Sequence, residues 1–231
     1  MKLEKITEQS GNSSKRRYDD ACGTAHALEL VGERWALLVV RELMLGPKRF
    51  GDLRADLPGI SANVLTQRLE GLEEAGIVRH RKLPPPASVM VYELTPWGYE
   101  SAPIFEVLGR WAARSPHHDP TLPISAVSLM LSFRTMFDPS RAPGFEAAIG
   151  FRLGRESFLA TVRDGRLAVR RADDLGEAQA VFTGSPMAVA ASVYGGQGFD
   201  ALAAAGALEV AGDRAAAERF ATLFPLPPKV A

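Results

Sequence analysis

Apolar and polar positions along this chain follow a helical period first and a mixed pattern later. From about Ala21 to Ala75 the apolar residues recur at helical spacing. Within that stretch "ERWALLVVRELMLG" (33–46) carries Trp35, Leu38, Val39, Leu43 and Leu45 and stops at Gly46-Pro47. Phe50 and Leu53 anchor a short helix ending near Leu57, and Pro58-Gly59 forces a turn. Ser61 is placed to cap the next helix. There Leu65, Leu69 and Leu72 share one face, while Asn63, Thr66, Gln67 and Glu70 fall on the other. Gly76 stands where a left-handed C-terminal cap belongs. Two strand-like runs, "IVRHRKL" and "MVYEL", flank the prolines at 84–86. Thr95-Pro96 reads as a cap followed by proline at the first helical position. It opens a helix with Ile104, Phe105, Leu108 and Trp111 on one side.

After "SPHHDPTLP" (115–123), which has three prolines and little apolar content, strands and helices mix. "SAVSLMLSFRTMF" (125–137) suits a packed helix. "ESFLATVRDGRLAVRR" (156–171) is a hairpin: Phe158, Ala160 and Val162 alternate, Asp164-Gly165 turns, and Leu167 and Val169 alternate on the return. "AQAVFTG" (178–184) is a strand, Ser185-Pro186 opens a helix, "ALEVAG" (207–212) is a last strand, and Asp213 caps a closing helix to about Leu223. The expected fold class is α+β. The expected organisation is a flexible tail (1–17), a helical domain with a two-stranded wing (18–114), a linker (115–123) and a small α+β domain (124–231).

Composition narrows the function classes. The 231 residues suffice for two modest domains, and 46% hydrophobic with 23% charged residues is ordinary for a soluble chain. Lys+Arg and Asp+Glu stand at 27 each, which neither demands nor excludes nucleic acid, because binding needs only a local positive face. The single cysteine, Cys22, makes no intramolecular disulfide and no Cys-rich zinc site. The N-terminal segment has no apolar core of the signal-peptide kind, and no apolar run is long enough to span a bilayer. A cytoplasmic protein with no membrane partner is expected. His117 and His118 lie beside Asp119 in the linker without a further ligand at metal-binding spacing, so no metal is expected. "GGQG" (195–198) follows a helix rather than a strand and reads as a helix stop. No Ser/His/Asp or paired-carboxylate set stands out, so neither enzyme activity nor a cofactor is expected.

A short helix, a tight turn and a polar-faced helix form the layout of a helix-turn-helix. Amides and hydroxyls near the start of the second helix can pair with base edges, and Arg68 adds positive charge. Arg79, His80, Arg81 and Lys82 follow on a strand whose hairpin can lie along a phosphate backbone as a wing. The expected partner is double-stranded DNA.

The residues that carry this reading also carry a family resemblance. Cys22, "GERW", "RFGDLR", "LPGIS", "VLTQRL", "AGIV" and "YELTPWG" resemble the HxlR-type winged helix-turn-helix transcription regulators from about residue 18 to residue 114. The resemblance implies a homodimer on a pseudo-palindromic operator. It implies recognition-helix contacts by Ser61, Asn63, Thr66, Gln67 and Arg68, and wing contacts by Arg79, Arg81 and Lys82. It implies a dimer interface through Trp35, Ile104, Phe105, Leu108 and Trp111, with Cys22 as a candidate redox thiol. The residue-level reading of Cys22 is instead a small, half-buried core position. The wing tip is proline-rich and carries no basic residue. Residues 158–224 resemble, in their order of hairpin, strand, helices, strand and helix, a sterol-carrier-like lipid-binding domain. The second domain is rich in phenylalanine and methionine, which suits an ordinary core or an apolar pocket; with the resemblance, Met130, Phe133, Phe137, Phe158, Phe182, Met187 and Tyr194 are expected to line a pocket for a small apolar ligand. The alternative is an apolar-ligand or lipid carrier that uses its winged helix only to dimerise.

Overall fold

The structure, a computed structural model, describes residues 18–230, so the tail expected at 1–17 lies outside the described residues. The first part runs α1 (Gly23–Val31), α2 (Ala36–Leu43), α3 (Phe50–Asp56), α4 (Ala62–Glu74), β1 (Val78–Lys82) and β2 (Met90–Leu94). Ser61 caps α4 as expected, its Oγ accepting the Val64 N–H at 3.2 Å. Gly76 ends it with a left-handed φ of 70°. Leu65, Leu69 and Leu72 are buried and lock α4 onto the helical core. β1 and β2 pair antiparallel, with Arg79 opposite Glu93 and Arg81 opposite Val91. Lys48 joins the hairpin through a two-way backbone bridge to Tyr92, at 3.0 and 2.8 Å.

The helix expected from Thr95 is two helices, α5 (Pro96–Tyr99) and α6 (Ala102–Ala113). Pro103 accounts for the break: it has no N–H, and its ring would meet the Tyr99 carbonyl of a continuous helix.

The second part is a five-stranded sheet with helices packed on it. Its elements are α7 (Ala126–Met136), β3 (Ala147–Leu153), β4 (Glu156–Arg163), β5 (Arg166–Arg171), β6 (Ala180–Gly184), α8 (Pro186–Val193), α9 (Phe199–Ala204), β7 (Leu208–Gly212) and α10 (Arg214–Ala221). The strand order is β5-β4-β3-β6-β7, with β3 and β6 parallel and the other neighbours antiparallel. The central strand, β3, is absent from the sequence reading. The Asp164-Gly165 hairpin, the strand at 180–184 and the caps Ser185 and Asp213 are present as expected.

One face of the sheet packs on aromatic side chains from α7, α10 and the residues beyond it. Phe133 stacks on Phe224 at 4.6 Å between ring centroids, and Phe151 on Phe182 at 5.2 Å. Burying each such ring contributes about 1.5–3 kcal/mol. The seven residues expected to line an apolar pocket lie here. Met130, Phe133, Phe158 and Phe182 are fully buried, Phe137, Met187 and Tyr194 partly so. Tyr194 shares a 2.7 Å hydrogen bond with Ser132, and burial pushes its phenol far above the usual range. The space that a ligand was expected to occupy holds these side chains themselves. None of the seven lines the groove beside Trp111 or the cleft between the two parts of the chain.

The connection at 115–123 is exposed, with Ser115 alone partly covered, yet one apolar cluster runs through both parts of the chain. An ion cluster joins them as well. Lys48 is 3% exposed and Glu42 is wholly buried. The Lys48 ammonium lies 3.0 Å from Glu42, 2.6 Å from Asp56 on α3 and 3.2 Å from Glu156 on β4. Burial opposes its charge, but the three carboxylates outweigh burial and hold the lysine above its ordinary pKa. Arg41 and Ser125 donate to the other Glu42 oxygen at 2.8 and 2.7 Å. Arg171 bonds the Leu45 carbonyl at 2.8 Å and pairs with Glu156 at 2.6 Å. Arg155, on the β3–β4 turn, reaches Asp52 and Asp56 of α3 at 2.9 and 3.7 Å.

Lys48→Met leaves the Glu42 carboxylate buried without its ammonium and is expected to cost roughly 3–5 kcal/mol. Lys48→Met with Glu42→Leu is expected to recover a large part of that loss, read as the midpoint of urea unfolding. Equal midpoints for Lys48→Met and the parent would contradict a paired buried charge.

Candidate nucleic-acid interface

The turn at Pro58-Gly59, with Gly59 in the left-handed region at φ 91°, sets α4 off at an angle from α3. With the leucine face turned into the core, the opposite face of α4 is open. Ser61, Asn63, Thr66, Gln67 and Glu70 are all exposed. Asn63, Thr66, Gln67 and Glu70 stand at i, i+3, i+4 and i+7 and so form one ridge of amide, hydroxyl and carboxylate groups. Amides and hydroxyls on a helix of this kind suit the donor and acceptor pattern of a major groove.

Arg68 departs from expectation. It stands on the leucine side of α4, three residues after Leu65 and four before Leu72, and only 24% of its side chain is exposed. Its guanidinium turns back to Glu33, 3.3 Å away, and its Nε is buried without a hydrogen-bond partner. It therefore braces α4 against the α1–α2 turn rather than joining the exposed ridge.

The wing's positive charge is partly spent within the hairpin. Arg79 Nε and Arg81 Nε each donate to the same Glu93 oxygen at 2.8 Å. The Arg81 hydrogen bond is the main cause that holds the Glu93 carboxyl below its ordinary pKa, and Arg79 adds to it. His80 contacts Glu73 of α4 through its ring, and its backbone N–H donates to the same carboxylate at 2.9 Å. These bonds fix the hairpin to α4. Two arginines against one carboxylate leave a net positive strand, and the exposed Lys82 has no ion partner among the described residues. Arg49 and Arg54, which the sequence reading passed over, are exposed at the start and on the surface of α3 without a described ion partner. Their helix is the first of the helix-turn-helix pair, the one that in such motifs crosses the backbone. A count of exposed cations flanking the Pro58-Gly59 turn would have found them.

The expected dimer residues divide. Ile104, Leu108 and Trp111 are exposed at 46%, 43% and 69% on α6, and Val107, not singled out from the sequence, is the most exposed of the row at 72%. Phe105 points the other way and packs against the core. Trp35 also packs against the core, at the left-handed start of α2 (φ 79°), and lines a cleft between the two parts of the chain instead of the α6 face.

Cys22 is exposed at the start of α1, which corrects the half-buried reading. Backbone N–H groups of Thr24 and Ala25 lower its thiol pKa. Among the described residues no group of three or more metal-ligating side chains comes together. No described helix is long and apolar enough to cross a membrane.

Comparison with known proteins identifies this part of the chain. The HxlR-like helix-turn-helix family matches residues 30–119. The uncharacterised HTH-type transcriptional regulator YvaP of Bacillus subtilis is 36% identical over 86 residues, which is 37% of this chain and 80% of that protein. The HTH-type transcriptional regulator YodB of the same organism is 37% identical over 86 residues, 37% of this chain and 77% of that protein. The solved structure of reduced YodB from B. subtilis is 33% identical, covers 43% of this chain and all of its own, and superposes with a TM-score of 0.39. These relatives are transcriptional regulators rather than enzymes, and each match covers less than half of this chain, while the family match ends at residue 119, before the C-terminal sheet. Through its winged-helix part, this chain belongs to the HxlR-like helix-turn-helix family.

Proposed function

We propose that this protein is a DNA-binding transcription regulator that acts as a homodimer on a pseudo-palindromic operator. The observation that carries the reading is the open ridge of Asn63, Thr66 and Gln67, held beside the net positive strand of Arg79, Arg81 and Lys82. Base edges meet the ridge, and phosphates meet Lys82, Arg49, Arg54 and the two wing arginines. Ser61 contributes its exposed hydroxyl while capping α4.

The apolar row of Ile104, Val107, Leu108 and Trp111 supports the homodimer. Four large side chains at i, i+3, i+4 and i+7 on an exposed helix form a seam that a second α6 can cover by two-fold symmetry. The C-terminal segment widens the seam. The Val230 N–H bonds the Arg114 carbonyl at 2.8 Å, and Pro225–Pro228 flank Trp111 around an open groove of about 780 Å³.

The C-terminal part is a sterol-carrier-like α+β domain in this reading, supported by its order of hairpin, parallel strand, helices, edge strand and closing helix. Its role is to govern operator affinity in response to a small ligand. The filled aromatic core removes the main support for a carrier that takes an apolar cargo inside the sheet domain. Cys22, exposed and with a lowered thiol pKa, is a second input: a peroxide can oxidise its thiolate to a sulfenate with loss of water or hydroxide, and Cys22 of a second copy can then displace the sulfenate oxygen as water to form a disulfide.

Two outcomes test the assignment. Gln67→Ala is expected to weaken operator binding by about 1–3 kcal/mol with little change on random DNA, while Lys82→Ala weakens both alike and lowers the salt slope by about one. Equal losses for the two variants on both DNAs would contradict the roles. Trp111→Glu is expected to shift the protein from dimer to monomer in sedimentation velocity and to lower operator affinity at least about tenfold through lost avidity. A dimer undisturbed by Trp111→Glu would move the interface elsewhere.

A further inference from the structure

A cleft of about 830 Å³ lies between the winged-helix part and the sheet domain. This is within the roughly 300–1,000 Å³ of small-molecule sites, and such sites favour junctions of this sort. One wall is Trp35 and Leu38 from α2 with the end of α3; the other is Ile124, Leu153 and Pro186. The apolar walls are broken by Arg41, Arg155, Ser128 and Ser185.

The hydrogen-bonding capacity left over in this cleft selects the ligand. The carboxylates at its edge are committed: Asp56 and Glu156 hold the buried Lys48, and Glu156 also holds Arg171. Among the donors Arg41 is held by Glu42 and Arg155 by α3, while the two serines keep a free O–H among the described residues. No group is bonded to the Ser128 hydroxyl among the described residues, and Ser185 uses its oxygen only to accept the Ala188 N–H at 3.1 Å. Arg155 is 59% exposed and spans the cleft's edge to α3. A ligand that fits therefore brings acceptors and negative charge at one end and an apolar body at the other.

We propose that this cleft is the effector site and takes a small organic acid, its carboxylate on Arg155 and the serine hydroxyls and its apolar body against Trp35, Leu38 and Ile124. The idea rests on the regulator reading above and adds the place and chemistry of the effector. Binding has a direct route to the reading head. The α3 carboxylates Asp52 and Asp56 now hold Arg155, and Leu57-Pro58-Gly59 follows them into the cap of α4. A ligand carboxylate competes with α3 for the same guanidinium. It thereby exchanges a bond between the two parts of the chain for a bond within the cleft, which changes how firmly the sheet domain holds the helix before α4.

The test uses the full chain and 4-phenylbutyrate as probe, with 4-phenylbutanamide and 4-phenylbutylamine as its uncharged and cationic counterparts. Calorimetry is expected to show binding of the acid, with the amide and amine weaker by roughly tenfold or more, the size of a lost hydrogen bond to a charged group. Arg155→Gln should remove that preference, and Ile124→Trp should remove binding by filling the cleft. As a readout in the parent fold, 4-(4-bromophenyl)butyrate should quench tryptophan fluorescence, and Trp35→Phe should abolish the quench. The acid should also change operator affinity in the parent but not in Arg155→Gln. No binding of the acid, equal binding of all three probes, or a quench that persists in Trp35→Phe overturns the site. Binding that leaves operator affinity unchanged overturns the effector role. Calorimetry and quenching need no DNA, so a parent protein that binds the acid but no operator refutes the regulator reading separately.

Discussion

A lysine ammonium that is almost wholly buried would cost several kcal/mol if it stood alone. Lys48 is held by three carboxylates from three elements, Glu42 on α2, Asp56 on α3 and Glu156 on β4. Its backbone, meanwhile, is bridged to Tyr92 in the wing. One residue thus sets the spacing of α2, α3, the wing hairpin and the sheet domain. Moving any of these partners away would leave charge in an apolar interior, and this makes the junction between the two parts a defined geometry rather than a loose tether.

The surface offered to DNA follows from that geometry. The Pro58-Gly59 turn and the buried leucines orient α4, and Arg68 and Glu33 brace it from behind. Glu93 draws Arg79 and Arg81 together on one strand, while Glu73 ties that strand to α4. The carboxylates near the interface lower its net charge but make the reading head one rigid unit. Preorganisation of this sort favours specificity over the strength of nonspecific attraction. In the proposed reading, the cleft beside α3 is where a small ligand biases that unit from the sheet domain.

Much of the winged helix was legible because its determinants are local. The Ser61 cap, the Pro58-Gly59 turn, the Leu65/Leu69/Leu72 period and the Gly76 stop each act within a few residues. Arg68 was misread although the pattern held the answer, since i+3 from Leu65 and i−4 from Leu72 is the buried side of the helix. β3 was missed for a physical reason. It is the central strand and is covered on most of both faces, so it shows no alternation. Gly150 also interrupts its apolar run, where a Cβ would meet Ala178 and Val181 at 3.1 Å. The Lys48 cluster draws on residues 42, 48, 56 and 156, which only the tertiary fold brings together. The aromatic residues of the second domain have the composition of a pocket or a core alike. Only their stacking, Phe133 on Phe224 and Phe151 on Phe182, shows the interior filled.

The most direct measurement is fluorescence anisotropy of the purified full chain on a duplex from its own upstream DNA and on a scrambled duplex of equal length, across a series of salt concentrations. Two copies per upstream duplex are expected, with tighter binding there than on the scrambled sequence and a linear fall of log affinity with log salt on both. Equal affinity for the two duplexes, or no salt-sensitive binding to either, would contradict a sequence-reading role for α4 and its wing.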